Sequence, residues 1–333
     1  MQANFYDGAI IGQREEQQDD RTNLILHEGY RLYVLADGMG GHNAGNVASK
    51  LVCSAFRDFF SDLAAINDSE KALKEALNHA NEVMRGKLDE MPELQGMGTT
   101  VIAVLLHEPT GQYSFISVGD SPLYKYSEGR LQRINDNHAF YEDLKRLVAA
   151  GEMSQEEADT HPDRHAITSA VMGRVIEKFD VKSGQFAAGE LIILASDGLQ
   201  TLTDTEDGEI AQVLQSAQAD PEQSVIQLLA AVEEKGISHQ DNTTIIVVRS
   251  ENEASVTSTP PEQANEELQV TSEQAPKTQV EIPQKSSGQP AKKSSSKVWV
   301  WLLLIGVVAA ILWIASPELR TFVFDLVEKY TNA

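Results

Sequence analysis

Short apolar runs, each ended by a polar or glycine-containing turn, recur along residues 1–250. Runs rich in β-branched residues are typical of strands, and their close spacing favours antiparallel sheets over strand–helix–strand crossovers. The predicted strands cover residues 5–11, 22–27, 32–36, 101–106, 113–118, 190–196 and 243–249.

Apolar positions with helical spacing lie between these strands. They predict helices at residues 46–63, 69–88, 207–218 and 221–234, with Ser69 as the N-cap of the second helix. The region 139–173 has a different pattern: a short helix stopped by Gly151 is followed by a capping box of Ser154 with Glu157.

Aspartates stand at the ends of four of the predicted strands. The stretch LYVLADGMGGHNAG breaks from an apolar strand into a glycine turn at Asp37, and the same pattern places Asp120 and Asp197 after strands and Asp241 before one. A single aspartate of this kind fits an ordinary Asp–Gly turn. Four of them, widely spaced in sequence, could meet at one sheet edge, where carboxylate and carbonyl oxygens suit a hard cation. The pattern therefore predicts a shared metal site.

The polar stretch GQREEQQDDR joins the first two predicted strands and contains Arg14 and Asp19. On its residues alone it fits a solvated charged loop. A guanidinium group also matches the geometry of a phosphoryl group, so a phosphate-binding role for Arg14 stays open at this point.

The motifs, taken in order, resemble a known family. A GxR pair (Gly12 and Arg14) with Asp19 is followed by ADGMGGHxxG, GMGTT, VGDS, ASDG and DNTT. This order is similar to that of the PPM or PP2C-type metal-dependent protein serine/threonine phosphatases in their bacterial form, over roughly residues 1–250. The resemblance implies an α+β fold, namely a four-layer α/β/β/α sandwich of two antiparallel sheets flanked by helices.

The resemblance also implies a site chemistry. A water that bridges two Mn²⁺ or Mg²⁺ ions would attack phosphorus, and a third, weaker ion is expected beside them. The roles implied are phosphate binding by Arg14, hydrogen bonding to metal-bound water by Asp19, bridging of both ions by Asp37, coordination through the carbonyl of Gly38, binding of one ion by Asp197 and Asp241, and binding of the third ion by Asp120 with Asp197.

Several positions depart from the family pattern. Gln17, Pro122, Asn137 and Ser169 stand where Asn, Arg, Asp and Arg are common. Met39 occupies the place of a histidine that some relatives use to protonate the leaving group, so the general acid stays unassigned. These differences bear on substrate preference more than on the metal ligands.

Composition limits the classes of function. The formal net charge of −23 at pH 7 disfavours a nucleic-acid partner. The single cysteine, Cys53, cannot form an internal disulfide, which fits a cytoplasmic catalytic part, and its helix-like surroundings predict a small core residue. The start, MQANFYDG, lacks the basic and apolar regions of a signal peptide.

The composition changes sharply after residue 250. Residues 251–297 are rich in Ser, Thr, Glu, Gln, Pro and Lys, which predicts a disordered linker. Residues 298–316 carry no charge and would span about 28 Å as a helix, close to the thickness of a membrane. Lysines precede this segment, so the positive-inside rule places the catalytic domain (residues 1–250) in the cytoplasm and the short tail, residues 317–333, outside it.

Three functions fit these observations. The favoured one is a membrane-tethered phosphatase for phosphoserine and phosphothreonine in proteins, including targets of a serine/threonine kinase. A catalytically weak membrane adaptor that binds phosphoproteins is the second, because several family positions are changed. The third is a membrane phosphatase for a small metabolite, which a deep closed pocket would favour over an open site.

Overall fold

The structure is a computed structural model that describes residues 2–40, 44–164 and 166–251. The described strands are β1 Gln2–Ile10, β2 Asp20–Ile25, β3 Tyr30–Ala36, β4 Gly38–Met39, β5 Gly98–Thr99, β6 Val101–His107, β7 Gln112–Val118, β8 Leu123–Ser127, β9 Arg130–Arg133, β10 Asp180–Gln185, β11 Leu191–Ala195 and β12 Thr243–Glu251. The described α-helices are α1 Ala44–Asp62, α2 Ser69–Glu90, α3 Phe140–Ala149, α4 Gln155–Thr160, α5 Glu209–Ser216 and α6 Pro221–Glu234.

Ten of these strands form two five-stranded sheets in which every neighbouring pair is antiparallel. The first sheet has the order β1-β12-β11-β8-β9, and the second has the order β10-β7-β6-β3-β2. Strands β4 and β5 form a separate two-stranded ladder beside the glycine turn. The antiparallel, two-sheet architecture expected from the sequence is confirmed.

Alternating side chains on the strands build three layers of core. On β3, Leu32 and Val34 pack with helices α1 and α2, whereas Tyr33 and Leu35 point into the space between the two sheets. Strand β11 shows the same alternation: Ile193 packs with the core under α5 and α6, and its neighbours on the chain face the other sheet. Because strand side chains alternate with a period of two, each strand contributes to two layers, which produces the α/β/β/α sandwich.

Two local expectations need correction. The N-cap of α2 is Asp68 and not Ser69, because the Asp68 carboxylate accepts a hydrogen bond of 3.0 Å from the backbone N–H of Lys71. Strand β10 was not predicted, since it lies at the edge of its sheet and only one of its six residues, Asp180, is buried, so its pattern is that of a polar loop.

Other local expectations are confirmed. The capping box of Ser154 and Glu157 begins α4, and Cys53 is a buried core residue. The predicted linker, membrane-spanning segment and tail, residues 251–333, lie outside the described residues apart from Glu251, the last residue of β12. Within the described ranges, no helix is both long and apolar enough to cross a bilayer.

Candidate metal centre

The strand topology brings the predicted aspartates to one edge of the sandwich. Strands β3 and β7 run parallel to each other on either side of β6, so Asp37 and Asp120 follow them at the same edge. Strands β11 and β12 are antiparallel neighbours, which places Asp197, after β11, beside Asp241, before β12. Asp19 precedes β2, which pairs antiparallel with β3, and therefore reaches the same edge.

The electrostatics of Asp37 show that the five carboxyl groups form one cluster. Burial raises the pKa of Asp37 well above its ordinary value, and the charges of Asp19, Asp197, Asp120 and Asp241 raise it further. Carboxylates influence one another in this way only when they lie close together in a poorly solvated place. The five residues predicted from sequence, four of them at strand ends, are therefore brought together.

Asp197 behaves in the same way. Burial raises the pKa of Asp197 to about 7, with further contributions from the charges of Asp120, Asp241 and Asp19. The carboxyl of Asp37 lies within hydrogen-bonding reach of both Asp19 and Asp197, which places it at the centre of the cluster. A bound divalent cation would replace the protons that such a group otherwise retains.

The donor set of this cluster fits a hard divalent ion. Its side chains offer only oxygen, and their mutual repulsion is relieved by a cation. The buried Oδ2 atom of Asp19 makes no hydrogen bond with any described residue. In the described part of the chain, no group of three or more His, Cys, Asp or Glu side chains has a geometry that could already hold a metal ion. Binding an ion therefore requires side-chain rotation.

The backbone beside Asp37 is held closely. The Asp37 N–H donates to Thr100 Oγ1 at 3.1 Å, and its carbonyl accepts from the Thr100 N–H at 2.9 Å. A Cβ atom added at Gly38 would lie 2.1 Å from the carbonyl oxygen of Gly45, so only glycine fits this close approach. The carbonyl of Gly38, a predicted ligand, is thus fixed next to the Asp37 carboxyl.

Arg14 lies at the cluster, where the phosphate-binding prediction requires it. Its guanidinium group forms a two-pronged ion pair with Asp241, with Nε donating to Oδ1 at 2.7 Å and Nη2 donating to Oδ2. The pair is accessible, with the Arg14 side chain 53% exposed and that of Asp241 39% exposed. The loop before it is anchored by the Gln13 N–H, which donates to the carbonyl of Gln240 at 2.8 Å.

Asp19 is buried, and its loop is fixed to strand β12. The Gln18 N–H donates to Asn242 Oδ1 at 2.7 Å, and the Gln17 amide donates to Thr244 Oγ1 at 3.1 Å. Gln17, which departs from the family pattern, therefore anchors this loop to β12. Burial raises the pKa of Asp19, although hydrogen bonds with Ser196 and Thr244 oppose that rise.

The turn that carries Asp120 is held by residues that the sequence pattern did not single out. Arg133 Nη2 donates to the carbonyl of Asp120 at 2.8 Å, and Asn135 Nδ2 donates to the carbonyl of Ser121 at 2.9 Å. Asn135 Oδ1 also accepts from the Leu123 N–H at 2.8 Å. The guanidinium of Arg133 thus contacts the turn whose next residue, Pro122, replaces the arginine common in the family. Arg133 is the last residue of β9 and Asn135 follows two positions later, and no sequence pattern marks either of them.

An open cleft of about 640 Å³ lies over the cluster. Asp120, Asp197 and Asp241 line it from the sheet edge, and Tyr141 and Arg164 line it from the segment that follows β9. The region 139–173 therefore contributes one wall of the cleft. Ser169, the departure in this segment, is buried and donates to the carbonyl of Lys178 at 2.6 Å.

Comparison with known proteins identifies relatives of the chain. The family model described as protein phosphatase 2C matches residues 10–240. A putative protein phosphatase 2C-type protein of Streptococcus pyogenes is 32% identical over 249 residues, which cover 73% of this chain and 96% of that protein. The serine/threonine protein phosphatase PstP of Mycobacterium tuberculosis is 35% identical over 180 residues, 52% of this chain but only 32% of PstP, so the match spans about a third of that relative.

A solved structure is similar over the same region. The catalytic domain of the serine/threonine protein phosphatase PstP in complex with two manganese ions is 28% identical, has a TM-score of 0.60, and matches 75% of this chain and 99% of that one.

Proposed function

We propose that this chain, which belongs to the protein phosphatase 2C family, is a metal-dependent phosphatase that hydrolyses phosphoserine and phosphothreonine in proteins. The observation that carries the proposal is the cluster of Asp19, Asp37, Asp120, Asp197 and Asp241, of which the last three line an open cleft. The manganese ions of the PstP catalytic domain support the choice of metal.

The roles of the residues follow from their positions. Asp37 is central in the cluster and would contact two Mn²⁺ or Mg²⁺ ions, with the Gly38 carbonyl, Asp197 and Asp241 completing their ligands. When bound, such ions stabilise charge on a phosphoryl group and lower the pKa of water. Asp19, buried beside Asp37, would accept a hydrogen bond from the attacking water.

Arg14 would bind the phosphoryl oxygens of the substrate. Its guanidinium fork already holds the two oxygens of Asp241, and a phosphoryl group presents a similar pair of acceptors. The two partners would separate on loading, with Asp241 turning to an ion and Arg14 to the phosphate.

The open cleft favours a protein substrate over a metabolite. Asp241 lines this cleft, its side chain is 39% exposed, and the side chain of its partner Arg14 is 53% exposed, so a phosphorylated side chain on a folded or extended protein can reach them. Small ligands, in contrast, are usually bound in pockets that bury most of their surface.

The decisive experiment is hydrolysis of a phosphothreonine peptide by the full chain with Mn²⁺, with Mg²⁺ or with a chelator. We expect turnover with either ion and none in chelator. Full activity in chelator would overturn the metal mechanism. Peptide binding without turnover would favour the adaptor hypothesis, and a strong preference for a small phosphate ester over the peptide would favour the metabolite hypothesis.

We further propose that the enzyme is tethered to the cell membrane with its catalytic domain in the cytoplasm. Support comes from the sequence alone: an uncharged segment, residues 298–316, follows a polar linker, and lysines precede it. Fractionation of cells that produce the full chain, with and without residues 298–333, tests this. Recovery of both forms in the soluble fraction would contradict it.

A further inference from the structure

His138 forms hydrogen bonds with both the N–H and the carbonyl of Gly119, the residue before the candidate ligand Asp120. The Gly119 N–H donates to His138 Nδ1 at 3.1 Å, and the His138 N–H donates to the Gly119 carbonyl at 3.1 Å. The histidine is buried, with only 8% of its surface exposed. Since Nδ1 accepts this hydrogen bond, the neutral ring carries its proton on Nε2, which lies 3.9 Å from Asp180 Oδ1.

The carbonyl of His138 is hydrogen-bonded to Thr168, in the region that contributes the cleft wall. It accepts the backbone N–H of Thr168 at 2.7 Å and the hydroxyl of Thr168 at 2.7 Å. The neighbouring residues Ala139 and Ile167 form an isolated β-bridge that continues this contact. One residue therefore joins the strand end beneath Asp120 to the segment that forms the cleft wall.

The backbone of Gly119 is tightly constrained by its conformation and by Thr100. Its φ angle is +103°, a region that side chains rarely adopt, and an added Cβ would lie 2.7 Å from Thr100 Cβ. Thr100 also bonds the backbone of Asp37, at the centre of the cluster. Asp37 thus has its own support in Thr100, whereas a shift of His138 would act on the backbone of Gly119, the residue before Asp120.

We propose that His138 is a positioning residue that sets the place of Asp120 for the third, weaker ion and links that place to the Thr168 segment. This inference rests on the proposed function and on the third ion, held by Asp120 with Asp197, that the resemblance to the family implies. The physical reason is that an ion held by few protein ligands depends strongly on their orientation, and removal of a residue that orients a ligand typically costs about 10–100-fold in metal affinity. Asp37, held by its own contacts with Thr100, should be unaffected.

Two substitutions separate the Gly119 contact from mere packing. In His138→Asn, the side-chain oxygen takes the place of Nδ1 and can still accept the Gly119 N–H. In His138→Gln, the polar end lies near the place of Nε2, and the acceptor at the δ position is lost. His161→Gln is the matched control, because His161 Nδ1 also accepts a backbone N–H, that of Asp163 at 3.1 Å, but has no contact with Gly119 among its hydrogen bonds.

The measurement is a titration of the full chain with Mn²⁺, followed by the electron paramagnetic resonance signal of unbound Mn²⁺, so no activity is needed. We expect His138→Gln to raise the dissociation constant of the weakest ion about tenfold or more and to leave the tighter ions unchanged. His138→Asn and His161→Gln should titrate like the wild type. Unchanged binding in His138→Gln, or an equal loss in His138→Asn, would overturn the inference.

Failure of the wild type to bind Mn²⁺ at all is a distinguishable result. It would overturn the proposed function and the inference together.

A second measurement keeps the inference testable if the Gln variant does not fold. The imidazole nitrogens of His138 can be followed by ¹⁵N NMR in the wild type during titration with Mg²⁺. We expect the Nε2–H form throughout and a shift of the Nδ1 resonance that follows occupancy of the weakest ion. An Nδ1–H form, or an Nδ1 resonance that does not change as the weakest ion binds, would overturn the inference.

Discussion

At the residue scale, the centre of the molecule is a carboxyl group that cannot ionise freely. Asp37 lies between Asp19 and Asp197, and burial together with these neighbours raises its pKa. The same repulsion that destabilises the ionised cluster is the source of its affinity for cations, because a divalent ion reverses the sign of each interaction.

Replacement of Asp37 or Asp197 by Asn removes one ionisable carboxyl group from this cluster. We expect turnover of a phosphopeptide to fall by orders of magnitude, since a charged metal ligand is lost. In chelator, each variant should melt at or above the wild-type temperature, because repulsion is reduced. A phosphopeptide hydrolysis assay with Mn²⁺ checks the loss of turnover. Scanning calorimetry in chelator checks the melting temperature. Folded variants with near-normal rates would show that these aspartates are ordinary turn residues and not metal ligands.

Arg14→Ala tests the phosphate-binding role. The lost charge-assisted contact should raise KM for a phosphopeptide about tenfold or more, while Mn²⁺ binding is retained because Arg14 is not a ligand. Arg14→Lys is the matched control. It keeps the charge but loses the two-pronged geometry, so its KM should lie between that of the wild type and that of Arg14→Ala. An unaltered KM and turnover in the alanine variant would make Arg14 a solvated loop residue.

His138 makes the folding stability of the protein depend on pH, and the direction of that dependence follows from its pKa. Burial lowers the pKa of His138, an effect opposed by Asp180 and Asp136 and reinforced by Lys178 and Arg133. The unfolded chain therefore binds the proton more readily. The stability that His138 contributes is complete above its unfolded pKa, near 6.5, and is lost as the pH falls through the lower folded value.

The comparison that isolates this effect is denaturant unfolding of the wild type and of His138→Asn between pH 7.5 and pH 5, an interval set about the ordinary histidine pKa. The wild type should lose more free energy of unfolding across that interval than the variant does. Parallel curves would show that His138 does not titrate as its burial implies.

At the element scale, the ends of helices and strands determine how well sequence patterns translate into structure. Strand β11 and helix α6 were predicted within a residue or two, because an unbroken apolar run and a Pro at the first helical turn leave few alternatives. Strand β10 was missed, since an edge strand with a single buried residue has no apolar alternation to detect.

The residues of the metal cluster could be predicted from the sequence, whereas the residues that support them could not. Asp37, Asp120, Asp197 and Asp241 are visible in the sequence because each interrupts or precedes an apolar run. The contacts made by Arg133, Asn135 and His138 join residues 12 to 19 positions apart through side chains that bond to backbone groups. No periodicity marks such residues, so only the folded geometry identifies them.

The corrected N-cap of α2 leads to a stability prediction. Asp68→Ala should destabilise the protein by about 1 kcal/mol, because the Lys71 N–H loses its acceptor. For a domain of this size the melting temperature should fall by about 2–4 °C. Ser69→Ala is the control, and we expect little change because it is not the cap. A larger loss for the Ser69 variant would reverse the assignment.

At the scale of the whole molecule, the proposed tether would act on the location of the enzyme. A disordered linker of about 46 residues has a root-mean-square span of roughly 35–40 Å, and at full extension it reaches about 150 Å. A catalytic domain attached in this way would search a thin layer beside the membrane, where its effective concentration toward membrane proteins is high.

Truncation near Glu251 should therefore leave phosphopeptide kinetics in vitro unchanged and slow the dephosphorylation of membrane-bound targets in cells. The measurement compares full-length and truncated chains at equal abundance on one membrane-bound and one soluble phosphoprotein. Equal loss on both substrates would indicate that the C-terminal region acts on the catalytic domain directly.

The placement of the hairpin turns has a consequence for how the family can diversify. The aspartates lie at one edge of the sandwich, whereas the turns between β2 and β3, β6 and β7, and β8 and β9 lie at the opposite edge. With about seven residues per strand, the two edges are roughly 23 Å apart. Insertions, fused domains or new binding loops can therefore accumulate at the turn-bearing edge without altering the chemistry, so that regulation and catalysis can evolve independently on the same two sheets.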